Sequence, residues 1–469
     1  MNRIIAALAC LVLAPIGASM AQSRSVLDSV NRYVAAEMTR QHIPGVSVAI
    51  LRGDHVALAR GYGFANLELH VPASDSTVYQ SGSVGKQFTA AAIVMLSEQH
   101  RLHLDNPITT WLPEGAGVWD RITVRHLLTH TSGIAEYTDS TFDYRKDYTE
   151  DELVRFAASR PLDFPPGDRW SYSNTGYVLL GVLIHRVTGR FYGDVLREFI
   201  FGPLGMRTTR IISEADIVPN RAAGYRLVDG ELKNQEWVSP SLNTTADGAL
   251  YFTVDDLVKW AVALNHRRLP GLEAAWTPVH LNDGGTYPYG FGWALSGQRG
   301  HPRIGHGGAW QGFRTSIFRY PEFNLTVIVL ANLAEAEAHA IAYGIAGIVE
   351  PALEPPHLLA GPLGETKPTE PIPGLLRGIA GGADSGRVTT GLHRFLSPPL
   401  RKGLGEILAQ ATSWTDLGCD PIAGRGIILL GANVERVCYA RANGVKGKAL
   451  VSVLYGADWH AAGVEVYRF

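Results

Sequence analysis

A proline-rich segment sets the strongest limit on how this chain can fold. Seven prolines lie between Pro351 and Pro373. Proline fixes φ and lacks a backbone donor, so a segment this dense in proline is neither a helix interior nor a central strand. We interpret residues 351–373 as a linker. It divides the 469-residue chain into a long unit, residues 22–350 after a predicted signal peptide, and a small unit, residues 374–469.

Strand signals lie at both ends of the long unit, and the spacing of apolar residues between them is mostly helical. Helices are predicted over residues 26–38 and from Ser83 to Leu96. The predicted strands are 46–51, 56–59, 303–310, 315–320 and 325–330, the last two joined by a turn at 321–324. We therefore expect an α+β fold, in which one sheet is assembled from both ends of the unit and a helical part is inserted between them.

The small unit is also predicted to be α+β. It has a helical stretch over 395–411 and strand candidates at 427–430, 434–440, 449–455 and 464–469, without a catalytic cluster. Its two cysteines, Cys419 and Cys438, are 19 residues apart. They are either a disulfide, which stabilises by roughly 3 kcal/mol when it closes a loop of this length, or two buried thiols.

Charge and the N-terminus indicate an exported protein. Lysine plus arginine total 42 against 44 aspartate plus glutamate, so no basic excess is present to bind nucleic acid or an anionic membrane. Arg3 precedes an apolar run that ends in small residues at Ser19 and Ala21, typical of a secretory signal cleaved after Ala21. A lipoprotein site at Cys10 is the weaker alternative. We expect a soluble periplasmic or secreted protein without stable membrane insertion; its protein partners are not predicted.

The segment Q80-S-G-S-V-G-K-Q-F88 comes close to three functional signatures. A phosphate-binding loop fails, because position 80 is Gln and Gln87 follows the lysine. A nucleophile elbow fails, because Ser81 stands where its first glycine belongs. The remaining pattern is Ser83-x-x-Lys86, which puts a hydroxyl and an amine on one face of a helix start. Such a pair suits a nucleophile and its proton acceptor.

Two further segments carry polar groups in loops or beside strands. A Pro-Gly loop over residues 165–176 delivers Tyr172 and Asn174 to a helix start. Tyr172 could transfer protons, and Asn174 could hold a substrate carbonyl. The segment G305-H-G-G-A309 puts glycines beside a strand, where a backbone N–H could approach a substrate. Each segment alone is a weak signal, and each also suits an ordinary turn or strand.

Together, the three segments resemble the serine β-lactamase and penicillin-binding protein superfamily, which combines Ser-x-x-Lys, Ser/Tyr-x-Asn and Lys/His-x-Gly elements. The Tyr-x-Asn form is similar to the class C-like branch, with its esterases, D-aminopeptidases and carboxypeptidases. The resemblance covers about residues 25–350 and includes the segments 87–96, 122–133, 255–260 and 289–293. It implies an antiparallel sheet flanked by helices, with a helical subdomain and no cofactor or metal.

The resemblance also implies a role for each motif residue. Ser83 would be the acylated nucleophile, Lys86 its base or proton relay, and Tyr172 the group that protonates the leaving group and later activates water. Either Lys86 or Tyr172 could be the formal base. Asn174 would bind the acyl-side amide. On the Gly308–Ala309 strand, the N–H of Ala309 would form an oxyanion hole together with that of Ser83.

His306 departs from the pattern of lactamases and carboxypeptidases, which usually have lysine at that place. Histidine is mostly neutral at neutral pH, so the attraction for a substrate carboxylate is weakened, although Arg314 could supply the charge. His130, in T129-H-T-S-G133, is interpreted as structural rather than as a catalytic base.

We therefore expect a hydrolase of small esters or amides. A peptidase or carboxypeptidase for D-amino-acid peptides with weak or no β-lactamase activity is one alternative. A non-catalytic binding relative that has kept the pocket is another. The small unit weakly resembles nuclear-transport-factor-like domains.

Overall fold

The computed structural model of this chain describes residues 16–138, 141–212, 216–269, 271–355, 368, 370–422, 427–430, 432–444 and 447–468. Its α-helices are α1 (Ile16–Gln41), α2 (Lys86–Glu98), α3 (Val124–Leu128), α4 (Glu150–Ala158), α5 (Asn174–Thr188), α6 (Tyr192–Leu196), α7 (Gly202–Leu204), α8 (Val254–Asn265), α9 (Ala338–Val349), α10 (Ile372–Ala380), α11 (Thr390–Phe395) and α12 (Pro398–Gln410).

The strands of the long unit are β1 (Gly45–Arg52), β2 (His55–Asn66), β3 (Val71–Pro72), β4 (Tyr79–Gln80), β5 (Arg210–Ile211), β6 (Tyr225–Val228), β7 (Glu231–Asn234), β8 (Leu250–Phe252), β9 (Val279–His280), β10 (Thr286–Tyr287), β11 (Ala294–Gln298), β12 (His301–Trp310), β13 (Phe313–Tyr320) and β14 (Leu325–Ala331). Those of the small unit are β15 (Ala411–Pro421), β16 (Ile427–Leu429), β17 (Ala432–Val434), β18 (Arg436–Gly444), β19 (Gly447–Tyr455) and β20 (Ala461–Arg468).

The main sheet is antiparallel and joins the two ends of the long unit, which confirms the predicted fold. Its strand order is β11-β12-β13-β14-β1-β2-β3, and β1 pairs with β14 from Val46↔Ala331 to Arg52↔Leu325. Both neighbouring strands are almost wholly buried. Their apolar runs can be buried on both faces because α1 and α9 pack on one face of the sheet, while α2, α8 and the helical part pack on the other.

The Ser83 segment differs from its prediction as a helix. Residues Gly82–Gly85 form a 3₁₀ turn, and α2 begins only at Lys86. Gly82 has φ +50°, the left-handed region that glycine adopts without strain. Ser83 therefore lies in a tight turn between β4 and α2, three residues ahead of the lysine on the first turn of the α-helix.

The small unit contains a four-stranded antiparallel sheet in the order β15-β18-β19-β20. Cys419 and Cys438 lie directly opposite each other in β15 and β18 and form a disulfide, which decides between the two predicted states. The helical stretch predicted over 395–411 is two helices, α11 and α12, because the Ser397-Pro398 step interrupts it. Strand β15 was not predicted.

The predicted linker lies largely outside the described residues, since residues 356–367 are not among them. At its far end α10 begins at Ile372, with Pro373 in the first turn, where a missing N–H costs nothing. The small unit thus starts slightly earlier than predicted. The signal peptide, predicted over 1–21, also lies mostly outside the described residues, and α1 begins at Ile16.

Ion pairs and an aromatic contact join the two units. Arg299 forms an ion pair with Asp420 of β15. Arg394 of α11 pairs with Asp283 at 2.6 Å, and the neighbouring Phe395 packs against Tyr287 of β10. Within the part of the chain that the structure describes, every helix is too short or too polar to cross a bilayer.

Candidate active site

The turn that carries Ser83 is pressed against strand β12. A Cβ on Gly82 would lie 2.4 Å from the Ala309 nitrogen, and a Cβ on Gly308 would lie 2.1 Å from the Ser81 carbonyl oxygen. Any side chain at these two positions would therefore push the strand and the turn apart. Glycine at both positions lets the backbone of Ala309 run directly beside the turn that holds Ser83.

Lys86 is fully buried, and its ammonium group has three partners. Nζ donates to Ser83 Oγ at 3.1 Å, to Asn174 Oδ1 at 2.7 Å and to the Asp247 carbonyl at 2.7 Å. An ammonium group has three N–H donors, so each one is used. The structure thus brings Ser83, Lys86 and Asn174 into one hydrogen-bonded group.

Tyr172 lies beside this group. Its ring centroid is 4.9 Å from Lys86 Nζ, within cation–π range. Its hydroxyl is buried and has no hydrogen-bond partner among the described residues. Two motifs that are far apart in the sequence therefore place Ser83, Lys86, Tyr172 and Asn174 together. The Tyr172 hydroxyl makes no hydrogen bond to a described protein group.

Asn174 is positioned by the start of α5. Ser173 caps the helix, accepting from the Gly176 N–H at 3.0 Å. The Asn174 N–H donates to Glu136 Oε2 at 2.5 Å. A carboxylate at a helix N-terminus is favourable, but burial dominates and raises the pKa of Glu136, while the hydrogen bond from Asn174 opposes the rise.

The side chain of His306 is buried, and both of its ring nitrogens contact protein groups. Nδ1 lies 2.6 Å from the Gly307 carbonyl, and Nε2 lies 2.9 Å from the Tyr289 hydroxyl. A carbonyl can only accept, so Nδ1 carries the proton and Nε2 accepts from Tyr289. Burial, with a smaller contribution from the charge of Lys86, lowers the pKa of His306 to about 3, while the hydrogen bond to Gly307 opposes this change. The imidazole is therefore neutral at physiological pH and has no spare donor for a substrate.

Arg314 lies on β13 directly opposite Ala309. Its guanidinium is half-buried and donates to the Phe313 carbonyl at 3.2 Å. Burial lowers its pKa, with Glu335 and Glu337 acting in the opposite direction. It remains a cation at neutral pH. Arg314 is thus a charged group on the strand next to the predicted oxyanion strand.

His130 packs behind Tyr172. The ring centroids are 4.4 Å apart, and His130 Nδ1 accepts from the Ser173 N–H at 3.1 Å. Burial holds its pKa well below the usual range. The hydrogen bonds of the described residues do not link His130 to Ser83, and these contacts suit the structural role predicted for it.

Sequence reasoning missed three residues that complete this site: Glu136, Asp247 and Tyr289. Asp247 acts through its backbone carbonyl, for which side-chain chemistry offers no signal. Glu136 reaches Asn174 from a loop that is distant in sequence. Tyr289 lies in the segment Y289-G-F-G-W293. This segment resembles the superfamily, and the resemblance could have identified Tyr289 as a site residue. The described residues contain no group of three or more His, Cys, Asp or Glu side chains suited to a metal ion.

Comparison with known proteins gives a consistent set of similarities. The beta-lactamase family profile matches residues 30–350. Penicillin-binding protein 4* of Bacillus subtilis is 31% identical over 309 residues, which are 62% of this chain and 68% of the relative. D-aminopeptidase of Gluconobacter oxydans is 28% identical over 394 residues, 79% of this chain and 70% of the relative.

Solved structures agree. A D-stereospecific amidohydrolase from Streptomyces is 26% identical with a TM-score of 0.59, covering 69% of this chain and 98% of that chain. The octameric penicillin-binding protein homologue from Pyrococcus abyssi is 23% identical with a TM-score of 0.62, covering 94% of this chain and 96% of that chain. The second likeness extends over both units of the fold.

Proposed function

Because this chain belongs to the beta-lactamase family of serine hydrolases, we propose that it cleaves small amides and esters that lack a carboxylate, through an acyl-enzyme formed on Ser83. The observation that carries this proposal is the contact of the buried Lys86 Nζ with Ser83 Oγ at 3.1 Å. A serine hydroxyl becomes a useful nucleophile when a neighbouring group can take its proton. The described residues of the long unit supply that group on the first turn of α2.

In the proposed reaction the Lys86–Tyr172 pair starts with one proton fewer than an ammonium and a phenol together carry. Ser83 Oγ attacks the substrate carbonyl carbon, and its proton passes to the deprotonated member of this pair. The N–H groups of Ser83 and Ala309 hold the developing oxyanion. Tyr172 then delivers a proton to the leaving amine or alcohol as the bond to the acyl carbon breaks. Water attacks the acyl-enzyme and gives a proton to the same pair. The pair returns a proton to Ser83 Oγ as the acyl bond breaks, which releases the carboxylic acid and free Ser83.

The preference for substrates without a carboxylate rests on His306. A buried neutral imidazole with both nitrogens engaged offers no charge to a substrate carboxylate. Amides and esters of D-amino acids are the first class to test, because similar proteins carry the names D-aminopeptidase and D-stereospecific amidohydrolase. Efficient β-lactam hydrolysis is not proposed.

A second candidate is a carboxypeptidase for D-amino-acid peptides, favoured by Arg314 opposite Ala309. Its substrates carry a terminal carboxylate that Arg314 would have to meet.

The test is a substrate panel with the purified chain: D-alaninamide, L-alaninamide, 4-nitrophenyl acetate, a peptide ending in D-Ala-D-Ala, and nitrocefin. We expect D-alaninamide and the nitrophenyl ester to be hydrolysed, nitrocefin to be the poorest substrate, and Ser83→Ala to abolish all turnover. Turnover of nitrocefin comparable to that of the best ester would refute the proposed preference for substrates without a carboxylate. Absence of turnover in a folded parent protein would favour the non-catalytic relative.

We also propose export, with cleavage after Ala21, on the basis of the signal-like N-terminal sequence. N-terminal sequencing of periplasmic or secreted material checks this. A mature chain that begins at Met1, or a lipidated Cys10, would contradict it.

A further inference from the structure

A row of aromatic rings runs from Tyr172 into the small unit. Trp170 lies next to Tyr172, with ring centroids 6.3 Å apart. Its indole stacks on Tyr287 at 3.9 Å with an interplanar angle of 15°. Phe395, at the end of α11, closes the row at 5.3 Å from Tyr287 and 6.4 Å from Trp170. Only one ring, that of Trp170, separates Phe395 from Tyr172.

The small unit holds Phe395 at this position with polar contacts centred on one buried carboxylate. Asp384 is fully buried and accepts from His393 Nδ1 at 2.9 Å and from Arg401 at 3.0 Å. These contacts fix α11 against α12. On the outer side, the ion pair of Arg394 with Asp283 ties α11 to the loop before β10. Phe395 is thus anchored from both units.

The three rings differ from ordinary core aromatics in exposure. Trp170, Tyr287 and Phe395 are each half-buried, whereas Tyr289 on the inner side of the row is buried. Ligand sites are lined mostly by apolar and aromatic side chains with a few polar groups nearby, and these rings lie beside Tyr172. Aromatic faces favour aromatic or flat apolar ligands.

We propose that Phe395 of the small unit, with Trp170 and Tyr287, forms a subsite for an aromatic or bulky apolar group on the leaving-group side of the scissile bond. The side is assigned by Tyr172, which neighbours Trp170 and which the proposed function makes the proton donor to the leaving group. The inference therefore rests on that proposed role. It makes the small unit a determinant of substrate choice as well as a structural attachment.

The test compares two substrates that share an acetyl group and differ in the leaving alcohol: benzyl acetate and methyl acetate. The two alcohols have similar acidity, so the ratio of their kcat/KM values reports recognition of the ring. We expect Phe395→Ala in the full chain to lower kcat/KM for benzyl acetate by about fivefold to tenfold, the range expected for one lost aromatic contact. Methyl acetate should change by less than about twofold.

Leu408→Ala is the matched control. Leu408 lies on α12 and packs in the same hydrophobic cluster as Phe395, so its loss weakens the small unit without removing a ring from the row. Its ratio of the two kcat/KM values should equal that of the parent. If Phe395→Ala does not fold, Phe395→Leu keeps apolar bulk against Tyr287 and should lower the benzyl rate alone.

An unchanged ratio in folded Phe395→Ala or Phe395→Leu overturns the subsite, and so does an equal fall for both acetates. The same pair of variants is measured with N-benzyl and N-methyl amides of D-alanine. Turnover of the acetates without the D-alanine amides would refute the amino-acid preference and leave the subsite test intact. Turnover of both sets with a parent-like ratio would refute the subsite and leave the proposed function standing.

Discussion

Lys86 and His306 are both buried, potentially cationic side chains beside the Ser83 turn, and their surroundings treat charge in opposite ways. Lys86 Nζ meets three acceptors, from Ser83, Asn174 and Asp247. His306 meets one carbonyl and one hydroxyl, and burial holds its pKa near 3. The positive charge of Lys86 itself disfavours a second charge at His306.

The difference shows how one site can keep a buried amine beside the nucleophile while position 306 offers no charge to a substrate carboxylate. A buried charge is tolerated where its hydrogen bonds are satisfied, and otherwise the group loses its charge. On the Lys86 side the fold supplies oxygen acceptors. On the His306 side the fold supplies the Tyr289 hydroxyl, which donates a hydrogen bond to the unprotonated Nε2 of a neutral ring. Substitutions at Lys86 and at His306 therefore test these two surroundings separately.

The largest effect is expected from Lys86→Met, which removes the amine and keeps most of the buried apolar stem. We predict that kcat/KM falls by about 10³ or more, at the level of lost general acid–base catalysis. Lys402→Met, an exposed lysine on α12, is the control and should behave as the parent. Retention of more than a tenth of the parent activity by folded Lys86→Met would show that Lys86 is not part of the proton path.

The second prediction concerns stability at acid pH. His306 is neutral when folded, with a pKa of about 3, and titrates near 6.5 when unfolded. Between these values the unfolded chain binds the proton, so stability falls as pH drops below about 6.5. Relative to His306→Gln, the parent should lose about 2 kcal/mol more of unfolding free energy between pH 7.5 and pH 4.5.

Urea unfolding at the two pH values measures this difference. The charged and titratable groups that act on His306 include Lys86 and His339. These two groups and the buried His130 are present in both proteins, so their contributions to the difference in stability loss cancel. Equal losses in parent and variant would mean that the imidazole is solvated and free to protonate.

The third prediction adds a positive charge at position 306. His306→Lys places an ammonium beside the Ala309 strand. The ratio of kcat/KM for a D-Ala-D-Ala peptide to that for D-alaninamide should rise by about tenfold, the scale of one charge-assisted contact. A fall of both rates with an unchanged ratio would show that position 306 supports packing and does not select charge.

The smallest effect is expected from Arg314→Ala. If the half-buried guanidinium opposite Ala309 is the remaining attraction for carboxylates, the same ratio should fall by about threefold, as for one partly screened charge. The ratio is measured at low and at moderate salt. Screening at the higher salt concentration should reduce the effect of Arg314→Ala. A ratio that does not respond at either salt concentration removes Arg314 from substrate recognition and with it the support for the carboxypeptidase candidate.

Much of the long unit was predictable from sequence because local pattern and tertiary structure agree there. The apolar runs at 46–51 and 325–330 pair in the centre of the sheet, and burial on both faces explains their composition. Ser83 and Lys86 are close because their spacing places them on adjacent turns, whatever the rest of the fold does. The turn type at Gly82–Gly85 was missed, since it depends on the close approach of β12.

Contacts made by distant loops and backbone atoms could not be predicted. The carbonyl of Asp247 and the carboxylate of Glu136 reach the site only through tertiary packing. The hydrogen bond between Tyr289 and His306 likewise forms only through tertiary packing, although the 289–293 segment itself resembles the family. In the small unit β15 was not predicted; its pairing with β18 contains two register shifts, which interrupt the regular alternation of residues along a strand.

The most direct measurement is intact-mass and peptide mapping of the protein quenched during turnover of 4-nitrophenyl acetate. Formation of an acyl-enzyme on Ser83 predicts a single added acetyl group in the parent, located on the peptide that contains residues 80–88. Ser83→Ala should carry none, and Lys86→Met should acquire it far more slowly. An acetyl group on Ser81 or Ser132, or turnover by Ser83→Ala, would contradict the account of Ser83 as the nucleophile.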